Sequence, residues 1–304
     1  MDKIDEAIEH SISITHKHIL SIINTKLRFG KFDKTIRILD AGCGNCELVS
    51  YLQKFVPIFN DSIGVEVYGF DVSDSKVQFG DYCTKAHQML AERFDDIDWN
   101  ARIKIISTKD KWPFDNSYFD IIVSNQVLEH VQNHHSFFSE NYRVQKMDGF
   151  AIHLFPLKNY IIEGHVRLPF AHRFNNWHSI YTYLKILSYL RLGKWKYLAD
   201  KCSVDDFSKS YSDFLSFYCN YLSMSDLIEI TRENGFRVGF NFSGNFYYEK
   251  LKEVFRIRNK FIYNKEKKHL LSIHLLKYIS SITLFLEKKD EYINYIALYP
   301  RSKK

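Results

Sequence analysis

The stretch Ile36–Leu48, which reads IRILDAGCGNCEL, constrains the fold of this 304-residue chain more than any other. Its apolar start is long enough for a buried strand and too short for a helix, and it ends at Asp40. Gly42 and Gly44 then provide a turn in which no side chain separates a ligand from the backbone. After Cys46, apolar residues recur at helical spacing. The stretch therefore predicts a strand, a glycine turn and a helix, the βα unit of a nucleotide-binding fold.

Two carboxylates beside this turn narrow the choice of ligand. Asp40 flanks the turn and Glu47 lies in the first helical turn, where they would repel the pyrophosphate of a dinucleotide and so disfavour an oxidoreductase. They suit a ligand with an ammonium and a sulfonium group and no phosphate, such as S-adenosylmethionine (SAM). The stretch resembles the first motif, LDxGCGxG, of the class I SAM-dependent methyltransferases. It departs from that motif at Cys46, where the family usually has a third glycine.

A second strand, predicted over residues 65–70, leads into Asp71. A carboxylate at this strand end can accept hydrogen bonds from both ribose hydroxyls of an adenosine. Farther along, Lys111–Val131 resembles the fourth-strand region of the same superfamily, with the strand predicted over 119–124. Relatives often carry an acid for the adenine amino group where this chain has Thr108, so Lys109 or Asp110 is an alternative contact. The resemblance implies a SAM site formed by Asp40, Gly42, Cys43, Gly44, Asp71, Val72, Thr108, Lys109, Asn125 and Gln126.

Three features of the sequence predict the class of the methyl acceptor: it lacks a base-methylation signature, it lacks a dense basic stripe, and it contains a third motif. Enzymes that methylate exocyclic base nitrogens have Asn or Asp followed by two prolines after the fourth strand, whereas this chain has Asn125 and Gln126. The net charge of +6 is spread without a dense basic stripe, so no nucleic-acid partner is expected. After a fifth strand over 150–155, the chain resembles an ExHxxxxPFxH stretch of bacterial methyltransferases of glycan and cell-surface biosynthesis. The segment around this motif, residues 159–178, contains Glu163, His165, Arg167, His172, Arg173 and His178.

These residues follow a central strand at the edge where open α/β sheets bind ligands. The resemblance implies O-methylation of a sugar, a glycan or a cell-surface polysaccharide intermediate. We expect His165 to be the general base, Glu163 to orient its ring, and His172 to be the substitute base. Another small molecule, a lipid-linked acceptor and a noncatalytic SAM-fold scaffold remain alternatives.

The predicted fold is a doubly wound α/β sheet of seven strands, six parallel and one reversed, in a single domain over 1–304. Lid helices are expected over 1–30, a helical cap over 157–225 and a helical insertion over 248–289. The sixth strand is predicted over 236–242, and the reversed final strand over 292–299.

Other patterns are compatible with a metal, redox or membrane site. Cys43 and Cys46 form a CxxC, but no second pair follows, and His130 and His134 have metal-pair spacing without an obvious third ligand. We therefore predict no metal. Five cysteines at irregular spacing and no signal sequence favour a reducing cytoplasm.

A helix predicted over Leu270–Leu286 is too short to span a bilayer. Lysines flank it over 265–289, so it suits either an anionic membrane at the inner face or packing on the protein itself. The oligomeric state is left open.

Overall fold

The computed structural model describes residues 3–11, 13–30, 32–74, 82–257, 261–263 and 273–289, and a seven-stranded sheet lies at its centre. The strands are β1 Thr35–Ala41, β2 Gly64–Val72, β3 Ile103–Ile106, β4 Phe119–Asn125, β5 Gln145–Phe155, β6 Ile162–Glu163, β7 Leu168–Pro169, β8 Phe236–Gly239 and β9 Ile282–Lys288. The sheet order is β3-β2-β1-β4-β5-β9-β8, while β6 and β7 form a separate antiparallel pair. Only β9 runs against its neighbours in the described sheet, so the predicted six parallel strands and one reversed strand are confirmed.

Helices cover both faces of the sheet because its strands are apolar on both sides. In β5, Phe150 and Ile152 point to one face and Ala151 to the other, as the two-residue period of a strand requires. The helices within the described residues are α1 Lys3–Glu9, α2 Ile14–Phe29, α3 Glu47–Phe59, α4 Tyr82–Arg93, α5 Trp99–Arg102, α6 His134–Val144, α7 Trp177–Tyr189, α8 Val204–Phe217, α9 Met224–Glu233, α10 Ser243–Val254 and α11 Ile273–Ile279. Residues of α2 and α3 join the first apolar core, and residues of α6 and α9 join the second.

The identity of the reversed strand differs from the sequence prediction. The reversed strand is β9, which lies between β5 and β8 and is buried along almost its whole length. A single helix over Leu270–Leu286 is therefore wrong: α11 ends at Ile279, and the following residues enter the sheet. The insertion predicted as helical over 248–289 thus contains a strand, and the strand predicted over 292–299 lies outside the described residues.

The predicted membrane contact through 265–289 rested on that helix. Ile282–Lys288 is hydrogen-bonded between two strands of the sheet. It therefore cannot form the second half of a helix that lies on a membrane surface. Within the described ranges, no helix has the length and apolar character that a membrane crossing needs. The predicted sixth strand is also shorter than expected, because β8 ends at Gly239 and α10 begins at Ser243.

A small third core supports the segment between β5 and α9. Here α7 and α8 pack against each other and against the β6–β7 pair. The apolar side chains of this core are Val166, Leu168, Ala171, Ile180, Leu184, Phe207 and Leu215. Glu163 ends β6 and pairs with Leu168 of β7, so the hairpin fixes the position of the predicted catalytic segment. The role of this segment as a cap stays a prediction.

Candidate active site

The glycine turn after β1 is held against the end of β2. The amides of Gly42 and Cys43 both donate to the carbonyl oxygen of Phe70, at 2.9 and 3.0 Å. Gly42 has φ +81°, and a Cβ built on it would meet Val127 at 2.6 Å, so the position requires glycine. Cys46, at the family's third glycine, adopts φ 60° and is fully buried. A side chain in this left-handed region costs roughly 1–2 kcal/mol, and the turn keeps its shape despite it.

Asp71 closes the turn from the opposite side. Its Oδ2 accepts a 2.5 Å hydrogen bond from the Gly44 amide, and its Oδ1 accepts a 2.7 Å bond from the Val72 amide. Burial raises the pKa of Asp71 above the ordinary aspartate value, although these two hydrogen bonds oppose the shift. Each carboxylate oxygen keeps a lone pair for a further donor. Both oxygens can therefore accept hydrogen bonds from the two hydroxyls of a ribose.

A cavity of about 790 Å³ opens at the carboxyl ends of the central strands. The ten residues predicted to bind the cofactor all line it: Asp40, Gly42, Cys43, Gly44, Asp71, Val72, Thr108, Lys109, Asn125 and Gln126. Sequence reasoning did not assign further lining residues to the site, among them His16, Asp74, Val127, His130, Phe217 and Tyr218. The fold therefore brings the predicted positions of four separate strand ends into one place, as parallel sheets do.

Two acceptor atoms at this cavity have no hydrogen-bond partner in the described part of the chain. They are Oδ1 of Asp40 and Oδ1 of Asn125, and both are buried. The Asn125 amide group donates to Oγ1 of Thr15 at 3.0 Å, which fixes its oxygen as the free end. Burial, with a smaller contribution from Asp71, raises the pKa of Asp40 to about 8. Buried acceptors without partners are costly, and a ligand with an ammonium group and hydroxyls satisfies them. The acidic cavity thus fits SAM.

The loop after β3 is tied to the end of β2 by Asp74. Its carboxylate accepts hydrogen bonds from the Ser107 hydroxyl at 2.7 Å and from the Thr108 amide and hydroxyl at 2.9 and 3.0 Å. These bonds, that of Ser107 foremost, hold the pKa of Asp74 below its ordinary value. Thr108 faces the cavity, but its hydroxyl is engaged by Asp74. Asp110 contributes to the same loop by accepting from the Ser107 amide.

Comparison with known proteins identifies the family. A family model described as a methyltransferase domain matches residues 15–238, which is well over half of the chain. The chain belongs to the class I SAM-dependent methyltransferases. The resemblance drawn from its first and fourth strands is confirmed, and SAM is its cofactor.

The solved structures to which the chain is similar are distant in sequence. The YcgJ protein of Bacillus subtilis is 14% identical with a TM-score of 0.45, over 90% of this chain and 99% of that one. Phosphoethanolamine N-methyltransferase 2 of Haemonchus contortus, bound to SAM, is 15% identical with a TM-score of 0.44, and 88% of this chain spans 52% of that one. Geranyl diphosphate C-methyltransferase of Streptomyces coelicolor is 12% identical with a TM-score of 0.43, over 87% and 78% of the two chains. None of the curated proteins compared with the methyltransferase matches it.

The predicted catalytic pair of the methyltransferase is in direct contact. Nδ1–H of His165 donates to Oε1 of Glu163 at 2.6 Å. The Tyr221 hydroxyl donates to the same oxygen at 2.7 Å, and the Val166 amide donates to Oε2 at 2.8 Å. Burial alone would raise the pKa of Glu163, but these hydrogen bonds outweigh it and the pKa lies below the ordinary value. Glu163 is therefore an ionised, fully oriented partner for the imidazole.

His130 connects this pair to the cofactor cavity, and sequence reasoning missed it. Its ring lines the cavity and packs edge-on against the ring of His165, with centroids 5.1 Å apart. Its Nδ1–H donates to the Tyr218 carbonyl at 2.8 Å, and burial lowers its pKa to about 4. The sequence showed only its metal-pair spacing with His134, because its hydrogen-bond partner Tyr218 lies 88 residues away. His165 itself is not among the residues that line the cofactor cavity; it lies behind His130, with 29% of its side chain exposed.

The remaining candidates lie apart from this pair. His172 lines a second, smaller cavity, where its ring packs on Tyr221. His134 donates to the Leu128 carbonyl and so does not converge with His130. Over the described residues, no group of three or more His, Cys, Asp or Glu side chains is arranged to hold a metal. The CxxC thiols lie within the glycine turn with their sulfurs 3.6 Å apart.

Proposed function

We propose that this methyltransferase transfers the methyl group of SAM to a hydroxyl oxygen of a sugar or glycan acceptor, with His165 as general base. The single observation that carries the proposal is the 2.6 Å contact between His165 and the ionised Glu163, next to the cofactor cavity. An alcohol must lose its proton as it is methylated, and a histidine paired with a carboxylate is suited to take it.

The cofactor supplies, when bound, a methyl group activated by a sulfonium. We assign its methionine end to the glycine turn and Asp40, its ribose to Asp71, and its adenine to the loop of Thr108 and Lys109. The support is that these residues line one acidic cavity whose free acceptor atoms suit an ammonium and hydroxyl groups. Asn125 and Gln126 complete the wall of the same cavity.

The proton of the acceptor hydroxyl would pass to Nε2 of His165 as the new O–CH₃ bond forms and the methyl–sulfur bond breaks, with S-adenosylhomocysteine as the leaving group. Glu163 already holds Nδ1–H, so Nε2 carries the lone pair, and the carboxylate stabilises the imidazolium that results. Tyr221 and the Val166 amide hold Glu163 in this orientation. Proton transfer of this kind contributes roughly 10²–10⁴ in rate. His172 remains the substitute base, and its ring lines the second, smaller cavity.

The N-terminal helices are proposed to act as a lid over the cofactor. His16 lines the cofactor cavity, and Thr15 accepts the hydrogen bond from Asn125. Burial lowers the pKa of His16 to about 4, so its imidazole is neutral at physiological pH. A neutral ring beside an acidic cavity leaves the carboxylates free for the cationic ligand.

The product's chemistry tests this function. The protein is incubated with methyl-labelled SAM and with separate pools of soluble sugars, glycans, amines and carboxylic acids. We expect label in the sugar or glycan pool as an O-methyl ether, which resists the alkaline hydrolysis that removes methyl esters. Label found only as N-methyl or methyl-ester product would overturn the proposal. A protein carrying Asp71→Ala serves as the control for cofactor-dependent transfer.

A further inference from the structure

The second cavity lies next to the proposed base and adjoins the cofactor cavity. Its volume is about 370 Å³, within the range of roughly 300–1,000 Å³ common for small-molecule sites. Phe217 lines both cavities. Tyr221 lines the second cavity, and its hydroxyl donates to Glu163, which in turn orients His165. Glu163 and His165 are not among the described residues that line this cavity, so Tyr221 is the side chain that separates a molecule bound there from the pair.

Two polar atoms of this cavity lack a hydrogen-bond partner among the residues that the structure describes. Nε2–H of His172 donates to the Lys158 carbonyl at 3.1 Å, so Nδ1 is the acceptor nitrogen, and it is buried and unpaired. Burial also lowers the pKa of His172, which keeps that nitrogen unprotonated. The Ser216 hydroxyl is likewise buried without a partner. Hydroxyl groups of a bound molecule would satisfy both atoms, which otherwise cost free energy.

The charge of the second cavity is opposite to that of the first. Lys158 lines it, and no Asp or Glu is among its lining residues in the described chain. Described carboxylates also lie beyond ion-pair distance of the Lys158 amine. The cofactor cavity, by contrast, is lined by Asp40, Asp71 and Asp74. Trp177 and Tyr221 add aromatic rings, whose faces pack against the C–H side of a sugar ring.

We infer that this second cavity binds the methyl acceptor, and that the acceptor is a sugar carrying a phosphate or carboxylate group. Lys158 pairs with the negative group, His172 and Ser216 bind hydroxyls, and the hydroxyl to be methylated faces the Glu163–His165 pair. The inference rests on the proposed function and names its substrate class. A phosphate and a carboxylate are both anions that a lysine recognises, and the experiment separates them.

Calorimetry of the protein saturated with S-adenosylhomocysteine tests the inference without methyl transfer. The probes are glucose 6-phosphate, glucuronate and uncharged glucose. We expect at least one anionic sugar to bind about tenfold more tightly than glucose, and Lys158→Met to remove that advantage. The matched control is Lys201→Met, an exposed lysine of the same segment that does not line the cavity. Ser216→Trp, which fills the cavity, should abolish sugar binding and leave S-adenosylhomocysteine affinity unchanged.

The results separate this inference from the proposed function. Failure of both anionic sugars to bind, or binding that neither Lys158→Met nor Ser216→Trp weakens, overturns the assignment of the cavity. If label still enters a sugar hydroxyl in that case, the proposed O-methylation is supported and only the assignment of the cavity fails. Conversely, anionic sugars that bind as expected but never receive an O-methyl group support the cavity and contradict the chemistry.

Discussion

The backbone amide of Gly44 donates a 2.5 Å hydrogen bond to Oδ2 of Asp71, which ties the glycine turn after β1 to the end of β2. One carboxylate thus shapes the turn and faces the cofactor cavity. The two motifs that the sequence presents 27 residues apart form a single unit of the candidate binding site.

Replacing Asp71 with Ala should weaken S-adenosylhomocysteine binding about tenfold to a hundredfold, because hydrogen bonds worth roughly 1–3 kcal/mol are lost inside a cleft. Calorimetry measures the affinity directly. Asp61→Ala, at an exposed aspartate before β2, is the control and should bind as wild type does. An Asp71→Ala protein with unchanged affinity would remove the ribose assignment.

Asp40 should make cofactor binding depend on pH. Its pKa is raised to about 8 by burial and by Asp71, so below that pH the free protein carries a proton there. The ligand's ammonium favours the carboxylate, so binding releases this proton and affinity rises with pH between about 6 and 8, by up to about tenfold per unit. Titrations with S-adenosylhomocysteine at several pH values should show this slope, and Asp40→Asn should flatten it. Wild-type affinity independent of pH would contradict the role of Asp40.

Glu129 should destabilise the folded protein at alkaline pH. Burial, helped by Glu163, raises its pKa to about 8 from an ordinary value of 4.5. The folded state keeps the proton that the unfolded state loses, so this contribution to stability is complete below pH 4.5 and is lost as pH rises through about 8. The melting temperature of Glu129→Gln relative to wild type should therefore rise by ~4 °C or more between pH 6 and pH 9. Glu229→Gln, at an exposed glutamate of α9, should show no such trend, and an equal difference at both pH values for Glu129→Gln would refute the assignment.

The sequence predicted which residues converge at the larger cavity because that part of the candidate site is encoded locally. Asp40, Gly42 and Gly44 lie within one strand–turn–helix unit, and Asp71 ends the next strand, so periodicity and turn chemistry suffice to place them. β9 was missed for the opposite reason. It is buried on both faces, and such a continuous apolar run has the same pattern in a strand as in a buried helix.

The acceptor half was only partly predictable. The contact of Glu163 with His165 spans two residues and follows from the local motif, whereas Tyr221 reaches Glu163 across 58 residues. His130 joins the site through its hydrogen bond to Tyr218 and through the packing of its ring on His165. Residue spacing along the chain does not predict either contact. Contacts between distant segments depend on the tertiary fold.

The rate of methyl transfer in a single turnover tests most directly the central claim that His165 removes the acceptor proton. With the acceptor identified by labelling, His165→Ala should slow transfer by about 10²–10⁴ and leave S-adenosylhomocysteine affinity unchanged, because the residue lies outside the cofactor cavity. Glu163→Gln should slow it less, and His135→Ala, at an exposed histidine of α6, should not slow it. Transfer by His165→Ala within about threefold of the wild-type rate, far short of the contribution of a general base, would contradict the account.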